Sequence, residues 1–103
     1  MSTKKESRMV GLDAKKEAGL HPIEGGYYSF ITVAPLFHGE LVAETDDEFH
    51  LKNASWVPET GRVHEFAEKP EIAVEVEFIG DLVVPKAAVV GYFPSGKEPL
   101  KTK

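Results

Sequence analysis

The sequence predicts a mainly β domain: a short N-terminal helix followed by a strongly bent, five-stranded antiparallel barrel. Three observations lead there. From residue 27 onward aromatic and β-branched residues predominate, the types that fit a pleated, half-buried surface. Residues 71–78 (EIAVEVEF) alternate strictly, with Ile72, Val74, Val76 and Phe78 on one side and Glu71, Ala73, Glu75 and Glu77 on the other, as a strand with one wet face requires. Glycine and proline interrupt the chain at strand-length intervals. A flat sheet of this size would leave an apolar face and two edges bare, so the strands are expected to curl into a barrel.

Taken in order, residues 1–11 are polar and read as a flexible basic tail, and residues 12–95 as the barrel domain. Residues 12–20 (LDAKKEAGL) suit two helical turns, with Asp13 near the start and Gly19 at the end. Pro22 and Gly25-Gly26 break the chain before the first strand, residues 27–34, whose Tyr28, Phe30 and Thr32 face opposite to Tyr27, Ser29, Ile31 and Val33. Pro35 cannot donate to a ladder and marks a turn or edge. Residues 37–44 form the second strand, with Phe37, Gly39, Leu41 and Ala43 inside and His38, Glu40, Val42 and Glu44 outside. Residues 45–48 (TDDE) turn the chain, the aspartates satisfying local backbone groups, and residues 49–57 form the third strand. Residues 58–70 are irregular, a loop with a turn or two of helix that docks through Val63, Phe66 and Ala67. The fourth strand covers residues 71–78 and resumes at 82–84 after a bend at Gly80-Asp81. Pro85-Lys86 leads into a brief fifth strand, residues 87–93, and residues 96–103 read as a basic C-terminal tail.

The 103 residues are 42% hydrophobic and 28% charged, an ordinary globular composition for one domain. No apolar run approaches the roughly 20 residues that span a bilayer, and the start MSTKKESRMV is polar where a secretion signal is apolar, so an intracellular, cytoplasmic protein without a membrane partner is expected. The absence of cysteine removes disulfides, thiolate metal sites and cysteine nucleophiles. The net charge of −5 is unevenly spread. Residues 1–16 hold five basic and two acidic residues, net +3, and residues 96–103 hold three and one, net +2. Residues 17–95 hold four basic and fourteen acidic residues, net −10, which repels a polyanion from the folded body.

The scaffold residues resemble the Sm-like fold of Sm, LSm and bacterial Sm-like RNA chaperones. Phe37-His38-Gly39-Glu40-Leu41 matches the opening of that family's first motif, Asp46 or Asp47 its turn acid, and Phe49-His50-Leu51-Lys52-Asn53-Ala54 its third strand. Residues 82–90 (LVVPKAAVV) have the layout of the second motif, two short strands joined by a turn. Asn53-Ala54-Ser55-Trp56 followed by Thr60-Gly61-Arg62 is also similar to small Sm-like proteins encoded by phages and found in environmental sequences. The resemblance covers residues 12–93 and implies a homo-oligomeric ring, the fourth strand of one subunit joining the fifth of the next. It departs from the family at the RNA site. Glu48 stands nearest the place of the base-holding asparagine, and Pro85-Lys86-Ala87 replaces the basic-residue-glycine pair, keeping one cation.

The expected function is accordingly a non-enzymatic ring module with a scaffold or accessory role. The interface is expected to run through Ile72, Val74, Val76, Val89, Val90 and Tyr92. The alternative is RNA or single-stranded DNA binding, by the ring pore or the basic tails, using Asn53, Lys86, His50 and Lys52. No cofactor is implied, because the sequence has no Gly-rich phosphate loop and no nucleophile elbow. His38, Glu40, His50 and residues 46–48 could converge on a divalent ion, but they lack tight ligand spacing and read more simply as a solvated surface. Trp56 and Phe66 read as core, and Arg62 as the partner of a nearby carboxylate.

Overall fold

The computed structural model describes residues 24–103. The helix expected over residues 12–20 and the tail over residues 1–11 lie outside them. Five strands form one antiparallel sheet: β1 (Tyr27–Ile31), β2 (Leu36–Glu44), β3 (Glu48–Glu59), β4 (Glu75–Pro85) and β5 (Gly91–Pro94). A helix α1 (Val63–Glu68) and a 3-10 turn (Pro70–Ile72) separate β3 from β4, and a second 3-10 turn (Lys86–Ala88) precedes β5. The strand order is β4-β3-β2-β1-β5.

The expected barrel is therefore not closed: β4 and β5 end the sheet on opposite sides and do not pair with each other. The brevity of β5 is part of the reason. Residues 87–88, expected as strand, coil together with Lys86 into a 3-10 turn, which leaves four residues for β5, and its Pro94 has no N–H to give. β4 likewise starts four residues late. Pro70 is pre-set for the first position of a tight turn, so residues 70–72 coil and the alternation seen from Glu71 onward is only half realised as strand.

Two apolar cores lie on opposite faces of the sheet. The first joins Tyr28, Phe30, Leu41, Phe49, Leu51, Ala54 and Val84, with Phe30 and Phe49 ring centroids 4.8 Å apart. The second joins Leu36, Val57, Phe66, Ala73, Val76 and Leu100, with Ile31 and Phe93 against it. Cross-strand partners explain the division. Phe30 pairs with Phe37 on one face, and Ser29 with His38 and Ile31 with Leu36 on the other. A bulge shifts the β2–β3 register between His38 and Glu40, and Asn53 there adopts φ 52, a left-handed conformation that asparagine tolerates.

The bulge is possible because residue 39 is glycine. A Cβ at Gly39 would lie 3.1 Å from both Cα and Cβ of Ala54 and 3.2 Å from Leu51 Cβ, and the first of these is backbone. Gly39→Val should therefore destabilise the domain by about 1–3 kcal/mol through overpacking. An unchanged chemical-denaturation midpoint would show that the two strands are not this close.

The segment read as a basic tail is docked on the sheet. Leu100 is buried in the second core, the Ser55 hydroxyl donates to the Leu100 carbonyl at 3.4 Å, and Lys103 exchanges both backbone hydrogen bonds with Val76.

Candidate assembly edges and the basic residues

The 45–48 turn is organised by a threonine hydroxyl. Thr45 Oγ1 accepts from Asp47 N–H at 3.2 Å and Glu48 N–H at 3.0 Å, and Thr45 N–H donates to the Glu48 carbonyl. Lys86 N–H donates to the Asp47 carbonyl at 2.7 Å, which ties the exit of β4 to this turn. Beside it the Lys86 ammonium binds Glu44 Oε2 and lies 5.2 Å from the centroid of the Phe49 ring. The pair is largely buried at the rim of the first core. Burial, then the Glu44 carboxylate, then Tyr28, hold the Tyr92 hydroxyl above its ordinary value of 10.0.

The four residues suggested for nucleic-acid contact fall into two pairs. Lys52 and Asn53 are exposed at the bulge, with Lys52 in register with Glu40. His50 and Lys86 lie toward the 45–48 turn, His50 Nε2 at 3.1 Å from Glu48 Oε1 and Lys86 on Glu44. Three of the four thus stand opposite a carboxylate.

The six residues suggested for an interface also divide. Val76 is buried in the second core, while Val89 and Tyr92 pack against the first. Ile72, Val74 and Val90 are exposed, Ile72 within the 3-10 turn rather than on a strand. Sequence reasoning missed Ile79 and Val83, which are 42% and 46% exposed on the outward side of β4. Their spacing on either side of Asp81 is the strand period, and reading Gly80-Asp81 as a bend hid it. Phe78, expected to be buried with Val76, is 46% exposed beside residues 98–102.

His38 corrects a further expectation. It does not look outward but is fully buried on the face of the second core, stacked on Tyr27 at 5.5 Å, and its Nε2–H donates to the Ser95 carbonyl at 2.7 Å. Its register partner on β3 is Ser55, whereas His50 pairs with Ala43, so the two histidines are not brought to one site. Among the described residues no three His, Cys, Asp or Glu side chains are grouped to hold a metal ion. Trp56, expected as core, is instead 36% exposed, with its indole N–H on the Ala34 carbonyl at 2.6 Å, whereas Phe66 is core; Arg62, which precedes α1, has Nε 3.9 Å from Glu65 Oε2.

β5 pairs only with β1 among the described residues, which leaves its other edge open. The outer edge of β4 is bonded at Val76 and Phe78 by residues 102–103 and, among the described residues, open along residues 80–85. Among the described residues no helix is long and apolar enough to cross a membrane. The fold defines a small, mainly β protein built on one open five-stranded sheet. Set against protein-family models, curated proteins and solved structures, the chain finds no match.

Proposed function

We propose that the chain is a non-enzymatic module that assembles head to tail with copies of itself, β4 of one copy adding to β5 of the next, in the manner of Sm-like rings. The observation that supports this is the strand order. The fourth and fifth strands end the same sheet, and among the described residues β5 has no strand on its outer side and β4 none along residues 80–85. The open run of residues 80–85 is long enough to receive the four residues of β5, and the two edges differ, so the contact is heterologous and closes into a ring when the rotation between copies permits. Ile79 and Val83 beside one edge and Val90 beside the other supply apolar surface to bury. A role as scaffold or accessory subunit fits the acidic body, and the pairing of Lys86 with Glu44 and His50 with Glu48 favours self-association over a polyanionic ligand.

Sedimentation equilibrium at micromolar concentration tests this, with a mass several times that of the 11.3 kDa chain expected. The double variant Ile79→Lys/Val83→Lys should shift that mass to the monomer while the fold is kept, because both side chains are surface-exposed and charge on an edge strand blocks strand addition. A wild-type chain that sediments as a monomer would sink the proposal.

A further inference from the structure

The outer edge of β4 is divided between two states, and one short segment sets the division. Lys103 N–H donates to the Val76 carbonyl at 2.9 Å, and Val76 N–H returns a bond to the Lys103 carbonyl at 3.3 Å, the reciprocal pair of an antiparallel ladder. Phe78 N–H donates to Thr102 Oγ1 at 2.9 Å, and the Lys103 ammonium donates to the Glu71 carbonyl. Two residues earlier, Leu100 inserts among Val57, Phe66 and Val76. The segment therefore makes one strand-like bridge to β4, anchored by one apolar side chain and placed on the edge next to residues 80–85.

Its seating is light. Residues 96–99 and 101–103 are exposed, and an open groove of about 580 Å3, lined by Asn53, Phe78 and residues 98–102, runs beside it. Few apolar contacts and solvent-exposed hydrogen bonds mark the low-stability end of a structure, the part that opens first.

We propose that residues 98–103 are an edge strap: they occupy the first part of β4 in place of a second copy and so confine the incoming β5 to residues 80–85. The inference rests on the assembly reading above and adds its control. With the strap in place β5 can add only within residues 80–85, which restricts the offsets open to it. Without it the edge is free from Glu75 to Pro85, and a four-residue strand can add at several offsets, because only side-chain pattern and edge length fix register in strand addition. The apolar seat of Leu100 is then also bare.

The test uses the full chain carrying Thr102→Ala and Lys103→Pro. The first removes the acceptor of Phe78 N–H, and the second removes the N–H given to Val76 together with the ammonium on Glu71. Neither side chain is buried, and Leu100 stays in place. Amide hydrogen exchange at Val76 and Phe78 should accelerate at least about tenfold, with Leu41 and Leu51 unchanged as the internal measure of an intact fold. Sedimentation velocity should show a broader distribution reaching larger masses than wild type. Thr102→Ala alone should give a smaller change of the same sign at Phe78. Unchanged exchange overturns the strap, and so does faster exchange with a wild-type mass distribution. If wild type is monomeric and the double variant associates, the ring reading falls and the strap stands as the device that keeps the edge closed.

Discussion

Replacing Phe66 with alanine should cost the domain about 3–5 kcal/mol, the range for emptying a fully buried aromatic site. The ring sits edge-on to Phe93 at 6.3 Å between centroids and belongs to the apolar cluster that holds α1 to the sheet. α1 has six residues and no side-chain cap, far too short to persist without packing. Its loss releases the helix and loosens the seat of Leu100 at the same time. Against a total stability of about 5–15 kcal/mol, a loss of this size takes a large part of the whole. Urea unfolding followed by Trp56 fluorescence is the suitable measurement, since this residue is the single tryptophan and its N–H bonds to Ala34. A loss below about 1 kcal/mol would mean that the second core is not a structural core.

Acid should weaken the fold through His38. Burial holds the imidazole below its ordinary value of 6.5, and the bond to the Ser95 carbonyl opposes that shift only in part. The unfolded chain thus binds a proton here at pH values where the folded chain does not. The stability contributed by the neutral ring is complete above 6.5 and is lost as pH falls from there through the folded-state value. Protonation would also place a charge on a buried ring whose Nδ1 has no partner among the described residues. His38→Gln keeps a donor for the Ser95 carbonyl and does not titrate. Denaturation curves between about pH 7.5 and pH 5.5 should show a steeper loss in wild type than in His38→Gln. Parallel slopes would show that His38 does not set the acid response.

Much of the sheet was readable from residue types, because strands carry their pattern locally. β2 and β3 begin within a residue of where Phe37 and Phe49 suggested, and β1 keeps the division of Tyr28 and Phe30 from Ser29 and Ile31. What alternation does not carry is which face meets a distant segment. Ser29, His38 and Ser55 look like outward residues of half-buried strands, and they are buried because Phe66 and Leu100 cover that face from far along the chain. The reading of Ile72 and Val74 as strand failed for a different reason, since Pro70 imposed a turn on a sequence that still alternates. Of the candidate site, β4 and β5 were singled out only as joining strands of a curled barrel; that they end one open sheet on opposite sides depends on long-range pairing that residue types do not carry. The pairing of Lys86 with Glu44 was not legible, for it depends on the β2 irregularity between Leu41 and Ala43.

The second core has a consequence for the order in which the molecule is made. Its members come from β2, β3, α1, residue 73, β4 and residue 100, with Ile31 of β1 and Phe93 of β5 packed against them, so the cluster stays incomplete until Leu100 has been delivered. A ribosome releases the N-terminal members first, and during that interval Val57, Phe66 and Val76 lack their last apolar neighbour. The first core closes earlier, once residues 28–92 are present. The face of the sheet that carries the second core can thus be sealed only after the segment that also shields β4 has been made.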